Sequence, residues 1–124
     1  MTDLKDDYLR KAEIIRVVDG DTIECMIDLG LRTYRKTKLR VFGINCPETR
    51  GPTKADGLIS KAFTKEWFNV NKEFMVRTVN NGKEDSFGRL IAEVISVDGQ
   101  LLGATMIGLG LAVPFMDSSV TTSK

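Results

Sequence analysis

Three kinds of reactive group crowd into one stretch of this chain, Arg40-Val41-Phe42-Gly43-Ile44-Asn45-Cys46-Pro47-Glu48-Thr49: a guanidinium, an amide and a carboxylate. Two further stretches carry groups that could join them. Val18-Asp19-Gly20-Asp21-Thr22 lies upstream, and Asp85-Ser86-Phe87-Gly88-Arg89 lies downstream. The chain has no histidine. Ser-His-Asp hydrolysis, Cys-His proteolysis and any hydrolysis with a histidine base are therefore excluded. Hydrolytic chemistry here has to rest on carboxylates, arginines or a metal. Asp21 offers a hard oxygen of the kind a calcium-type cation takes. The arginines offer planar forks that match paired phosphate oxygens.

Each of these residues also has a plainer reading. Asp21 could simply cap a hairpin, as Asp does in many turns. Arg40 could be a solvated strand residue and Glu48 a turn residue. Arg89 could pair with Glu84 or Asp85. What weighs against these readings is that the groups occur together. The charge distribution points the same way. The net charge is only +1, but between Arg32 and Lys54 seven cations face the single acid Glu48. Such a local basic face is the expected footprint of a phosphate-binding surface.

The elements that must hold these residues can be read from the apolar pattern. Glu13–Val18 reads as a first strand, turned by Asp19-Gly20. Asp21–Asp28 is a second, with Ile23, Cys25 and Ile27 on one face. Asp28-Leu29-Gly30 turns the chain into a long third strand, Leu31–Ile44, and Pro47 stops it. A helix over about Asp56–Asn71 follows, with Ile59, Phe63, Trp67 and Val70 expected toward the core. Trp67 is read as a core residue, not a base-stacking platform. Glu73–Val79 and Gly88–Val97 are the last two strands. Leu101–Leu109 is a short second helix, and the chain returns extended over Gly110–Phe115. The predicted fold is α+β and mainly β: a five-stranded OB-fold barrel, one main helix after strand 3, and a short second helix.

At 124 residues and 42% apolar content, the chain is expected to form one domain. That domain is placed at 12–116, between a flexible N-terminus (1–11) and a flexible tail (117–124). No apolar run approaches the roughly 20 residues that span a bilayer. The acidic start, Met1 to Tyr8, is not a secretory signal, so a cytoplasmic location is expected. The two cysteines form no CxxC and are expected to be free thiols, with Cys25 packed in the core.

The three motifs together resemble the staphylococcal nuclease (thermonuclease) family. Asp19–Thr22 matches its Asp-Gly-Asp-Thr turn. Arg40 followed by Pro47-Glu48-Thr49 matches its Arg and Pro-Glu-Thr loop, and Gly88-Arg89 its later Gly-Arg. Ala62–Lys65 looks like part of its first helix. The resemblance runs from about Glu13 to about Phe115. It implies the same OB barrel and a calcium-dependent nuclease acting on DNA and RNA, single strands preferred, leaving 3′-phosphates. It implies Glu48 as the base or water-orienting carboxylate, with Arg40 and Arg89 as phosphate clamps. Asp21, Asn45 and the backbone carbonyl of Cys46 would be the metal ligands. Arg35, Arg50, Lys54, Ser86 and Phe87 are expected to meet substrate, and a monomer without membrane contact is expected.

Several positions depart from the family pattern. Asn45 stands where the family has a second metal carboxylate. Ser86-Phe87 replaces a Lys-Tyr pair that contacts a terminal phosphate. A tyrosine expected near Phe115 or Met116 is also replaced, and the family's long C-terminal helix is not expected within these 124 residues. The alternative reading is a non-catalytic or weakened OB module that binds single-stranded nucleic acid or a protein. Such a module would want exposed aromatics for stacking.

Overall fold

A computed structural model describes residues 9–79 and 83–115. The Asn80-Asn81-Gly82 turn, Met116 and the predicted tail lie outside the described residues. Strand β1 spans Leu9–Asp19, β2 Thr22–Gly30 and β3 Thr33–Val41. A two-residue strand, β4 (Ile44–Asn45), and a 3-10 turn (Gly51–Thr53) lead into helix α1 (Lys54–Val70). Strands β5 (Glu73–Thr78) and β6 (Leu90–Ser96), helix α2 (Leu102–Gly108) and β7 (Val113–Pro114) complete the order. Five strands close into a barrel in the order β1-β2-β3-β6-β5, while β4 and β7 form a separate two-stranded sheet. This is an OB-type α+β fold, as the pattern predicts.

The alternation in β2 does what period-2 spacing requires. Ile23, Cys25 and Ile27 point into the barrel and are buried. Leu39 and Val41 from β3, Phe74 and Val76 from β5, and Val94 from β6 join them. Met106 and Leu102 of α2 close one end of this core. Cys25 and Cys46 are both free thiols. No described helix is long and apolar enough to cross a membrane.

Four local expectations change. First, Leu9–Lys11 are not a frayed lead-in. They pair with Arg77, Val76 and Met75 of β5 and help close the barrel. Second, the turn after β2 falls at Leu31-Arg32, both with positive φ (56° and 60°), and not at Asp28-Leu29-Gly30. Third, the predicted long third strand ends at Val41. Gly43, at φ 89°, turns the chain so that Ile44-Asn45 pairs with β7 and not with the barrel.

The fourth change concerns α1. Ile59 is 57% exposed and Val70 76%, and Phe63 is only partly buried. The buried face is Gly57, Ser60, Thr64, Trp67 and Phe68. This stripe has helical spacing too, but it is small and polar over its first half. The helix lies so close to the β1–β2 turn and to the segment before β7 that it buries hydroxyls on their backbone carbonyls. Ser60 Oγ donates to Leu111 O at 2.6 Å and Thr64 Oγ1 to Gly20 O at 2.8 Å. Trp67 is buried as expected, edge-on to Phe68 at 4.9 Å, with its Nε1–H donating to Gln100 Oε1 at 2.8 Å.

Candidate active site

Strand register brings the three motifs to one rim. Thr22 of β2 pairs with Arg40 of β3, and Arg40 pairs in parallel with Ile91 of β6. Arg89 stands one residue before β6. A polar cavity of about 390 Å³ opens there. Its walls are Asp19, Asp21 and Thr22 from the first turn, Arg40 from β3, the Asn45–Arg50 loop, and Arg89.

Arg40 is not a solvated strand residue; it is only 6% exposed. Its Nη1 donates to the carbonyls of Val41 (3.0 Å) and Ile44 (2.9 Å), and Nη2 donates to Asn45 Oδ1 at 3.3 Å. The ring of Phe115 lies 4.9 Å from its guanidinium carbon. A guanidinium has five N–H donors. Among the described residues three of them are used, so two remain for a ligand.

Arg89 is held differently. Its Nε donates to Asp85 Oδ2 at 2.9 Å, and Nη2 lies 2.9 Å from the same oxygen. Nη1 donates to Thr22 Oγ1 at 3.2 Å. Two N–H groups again remain. The other oxygen of Asp85 accepts the backbone N–H groups of Phe87 and Arg89, both at 2.9 Å. Burial pushes the Asp85 carboxyl upward. Those backbone hydrogen bonds and the Arg89 guanidinium outweigh it and hold the group below its ordinary value. Pairing with Asp85, one of the plainer readings of Arg89, is thus real, and it leaves Arg89 lining the cavity.

Glu48 is exposed and lines the same cavity. Its backbone is fixed from below by α1. Thr53 Oγ1 donates to Glu48 O at 3.1 Å, and Gly57 passes so near that an added Cβ would lie 2.2 Å from that oxygen. Thr49 Oγ1 donates to Asp19 Oδ1 at 3.1 Å and ties the loop to the first turn.

The cation-type donors are few. Asp21 and Asn45 line one cavity and are oxygen ligands of the type hard cations take. Both are already engaged: Asp21 Oδ2 accepts the Cys46 N–H at 3.0 Å, and Asn45 Oδ1 accepts from Arg40. Among the described residues no group of three or more His, Cys, Asp or Glu side chains is placed to hold a metal. The set therefore fits a hard cation in ligand type and falls short of it in carboxylate count. Cys46 faces inward, with its thiol pushed up to about 12, first by burial and then by Asp21, against an opposing pull from Arg40. Its buried thiol stays un-ionised at neutral pH.

The remaining predicted substrate residues are spread out. Arg50 lines the cavity. Arg35 is exposed and ion-paired with Glu84 at 2.6 Å. Lys54 begins α1 and is exposed. Ser86 and Phe87 form the exposed loop before Arg89, with the Phe87 ring 77% exposed and 5.2 Å from the Arg89 guanidinium carbon. Sequence reasoning quoted Asp19, Thr22, Thr49 and Asp85 within the three stretches but gave none of them a supporting role, and it did not single out Gly57. The signal for Asp19, Thr22 and Thr49 was membership of the motifs, and for Asp85 a possible ion pair with Arg89.

The family model described as staphylococcal nuclease homologue matches residues 38–124, well over half of the chain. The chain belongs to this family. The nuclease-homologue match includes Arg40, the Asn45–Glu48 loop and Arg89, while Asp21 lies upstream of the matched segment.

Proposed function

We propose that this protein is a divalent-metal-dependent endonuclease that hydrolyses phosphodiester bonds in DNA and RNA, single strands preferred, with low sequence specificity. The observation that carries the reading is the convergence of Arg40, Arg89 and Glu48 on one cavity, each arginine with N–H donors to spare. Phosphodiester cleavage needs an oriented nucleophile and neutralised non-bridging oxygens. The two guanidiniums, held by protein acceptors before substrate arrives, bind those oxygens and stabilise the added charge of the transition state without reorganising. Glu48 orients a water and takes its proton as the water oxygen attacks phosphorus. The bond to the 5′-oxygen breaks and that oxygen takes up a proton from solvent, leaving a 3′-phosphate. A calcium ion held by Asp21, Asn45 Oδ1 and the Cys46 carbonyl would add charge neutralisation at the phosphate. With one carboxylate in the set, that binding is weak.

The test is digestion of single-stranded DNA with calcium, with magnesium or manganese, and with chelator. Cleavage is expected with calcium and none with chelator. Glu48→Gln and Arg89→Ala are each expected to lower the rate by at least about a hundredfold. Wild-type rates in either folded variant would remove the assignment. Binding without cleavage in any metal would favour a non-catalytic module.

A further inference from the structure

We propose that α1 carries a lysine track that leads one nucleic acid strand away from the cavity, an inference that rests on the nuclease reading and adds a surface to it. Lys54, Lys61 and Lys65 fall within about 40° of one another around the helix, and Lys72, just past its end, lines the same groove as Lys65. Between Lys54 and Lys65 the ridge is about 16 Å long. The helical acids Asp56 and Glu66 stand about 100° or more away from it. The line starts at the active site, because Arg50 lines the cavity one short turn before Lys54. Its far half borders a groove of about 760 Å³ between β1 and α1, with Lys65, Phe68, Asn69 and Lys72 on one wall and Ile14 and Arg16 on the other.

Ion pairing sets these lysines apart from four of the arginines, though not from Lys36 and Lys38 of β3; what marks the track is its alignment along one helix from the cavity. Arg16, Arg35, Arg77 and Arg89 are neutralised by Glu24, Glu84, Glu93 and Asp85. Among the described residues none of the four track lysines is in an ion pair. Lys54 also sits in the first turn of a helix, where a cation opposes the macrodipole. Folding does not ask for a cation there, but a polyanion leaving the cavity does. Glu13 and Glu73 pair across β1 and β5 and line the same groove, Glu73 directly after Lys72. They repel phosphate, and the track ends before them. Its length suits the shorter site sizes of OB folds, about four nucleotides.

The test is fluorescence anisotropy in chelator, where the strand is not cut. Labelled oligothymidylates of two and about twelve nucleotides are compared on wild-type protein and on the triple variant Lys61→Gln, Lys65→Gln, Lys72→Gln. The longer strand is expected to bind the triple variant at least about tenfold more weakly, with a log K against log salt slope shallower by about two. The matching triple Arg variant is expected to restore both. An unchanged affinity and slope, or wild-type protein that binds twelve nucleotides no tighter than two, overturns the track. The two ideas fail separately. Length-dependent, lysine-dependent binding with no cleavage in calcium removes the nuclease and keeps the track. Cleavage without length dependence does the reverse.

Discussion

Arg89 is held at the cavity chiefly by Asp85, with Thr22 as a further contact. One carboxylate oxygen takes the guanidinium and the other takes two backbone N–H groups of the same loop, so side chain and loop are fixed as a unit. Asp85→Asn keeps the shape and loses the charge. It is expected to lower kcat by about tenfold or more while KM changes less, since the guanidinium would be misaimed and not removed. A larger change in KM than in kcat would show that Asp85 serves binding alone. The sign of its titration follows from a lowered folded value. The stability it contributes is present above the ordinary 3.8 and is lost only as pH falls below that, through the depressed value. Acid unfolding of Asp85→Asn should therefore lack a component that wild type shows below about pH 4. Asn45 poses the opposite case, a charge that is missing. Its amide oxygen is shared with Arg40, so a cation there competes with a guanidinium. Asn45→Asp supplies a full negative charge and more acceptor capacity. It is expected to tighten calcium binding by at least about tenfold in calorimetric titration, with activity retained. Equal or weaker calcium affinity would show that Asn45 serves Arg40 and not a metal.

The element that sets the height of the reactive loop is α1, and it does so with its smallest residue. An alanine at 57 is intrinsically better for a helix than glycine by about 1 kcal/mol. Its Cβ would nevertheless lie 2.2 Å from Glu48 O and 2.8 Å from Pro47 O, and backbone cannot swing aside as a side chain does. Gly57→Ala is expected to destabilise the fold by roughly 1–3 kcal/mol in urea melts. It is also expected to lower cleavage by displacing Glu48. A variant with wild-type activity would show that the loop has slack. At the other end of the helix, Trp67→Ala is expected to cost roughly 3–5 kcal/mol, because the ring is packed and its N–H is bonded to Gln100. The existence and length of α1 were legible in the sequence; its buried face was not. Ile59, Phe63, Trp67 and Val70 form an apolar stripe at helical spacing, yet two of them are exposed. Hydrophobic periodicity assumes that burial follows apolarity. Here close approach to the Pro47–Glu48 loop, the β1–β2 turn and the segment before β7 favours Gly57, Ser60 and Thr64 instead, with hydroxyls that find carbonyls across the interface. No single-sequence pattern announces a partner surface of that kind.

At the scale of the molecule, barrel closure makes the site. Parallel pairing of β3 with β6 places Arg40 beside Ile91, and the β2–β3 register places Thr22 beside Arg40. Residues from 22 to 89 thus meet across two ladders. The order of strands and the three motifs were readable in the chain, and with them the barrel. The break of β3 at Gly43 and the β4–β7 pair were not, since Val41, Phe42 and Ile44 read as one continuous strand. That break matters, because it folds Asn45 back over the Arg40 guanidinium. The same compact core seals off both thiols. Cys25 is wholly buried inside the barrel, and Cys46, a member of the Asn45–Arg50 loop, is nearly so. Burial pushes each up from 9.0 to about 12. In the unfolded chain these thiols ionise as pH passes about 9; in the folded protein they stay protonated until about 12. A raised value in the folded state means that the stability is fully present below 9 and drains away between 9 and 12. Lysine and tyrosine titrate in the same window, so the loss in wild type alone does not isolate the thiols. Comparison with Cys46→Ala does. Urea midpoints taken near neutral pH and at about pH 10.5 should converge, the variant losing less than wild type as pH rises. If the two proteins lose stability in parallel, ionisation of Cys46 plays no part in alkaline unfolding, and its loop opens to solvent before the barrel does.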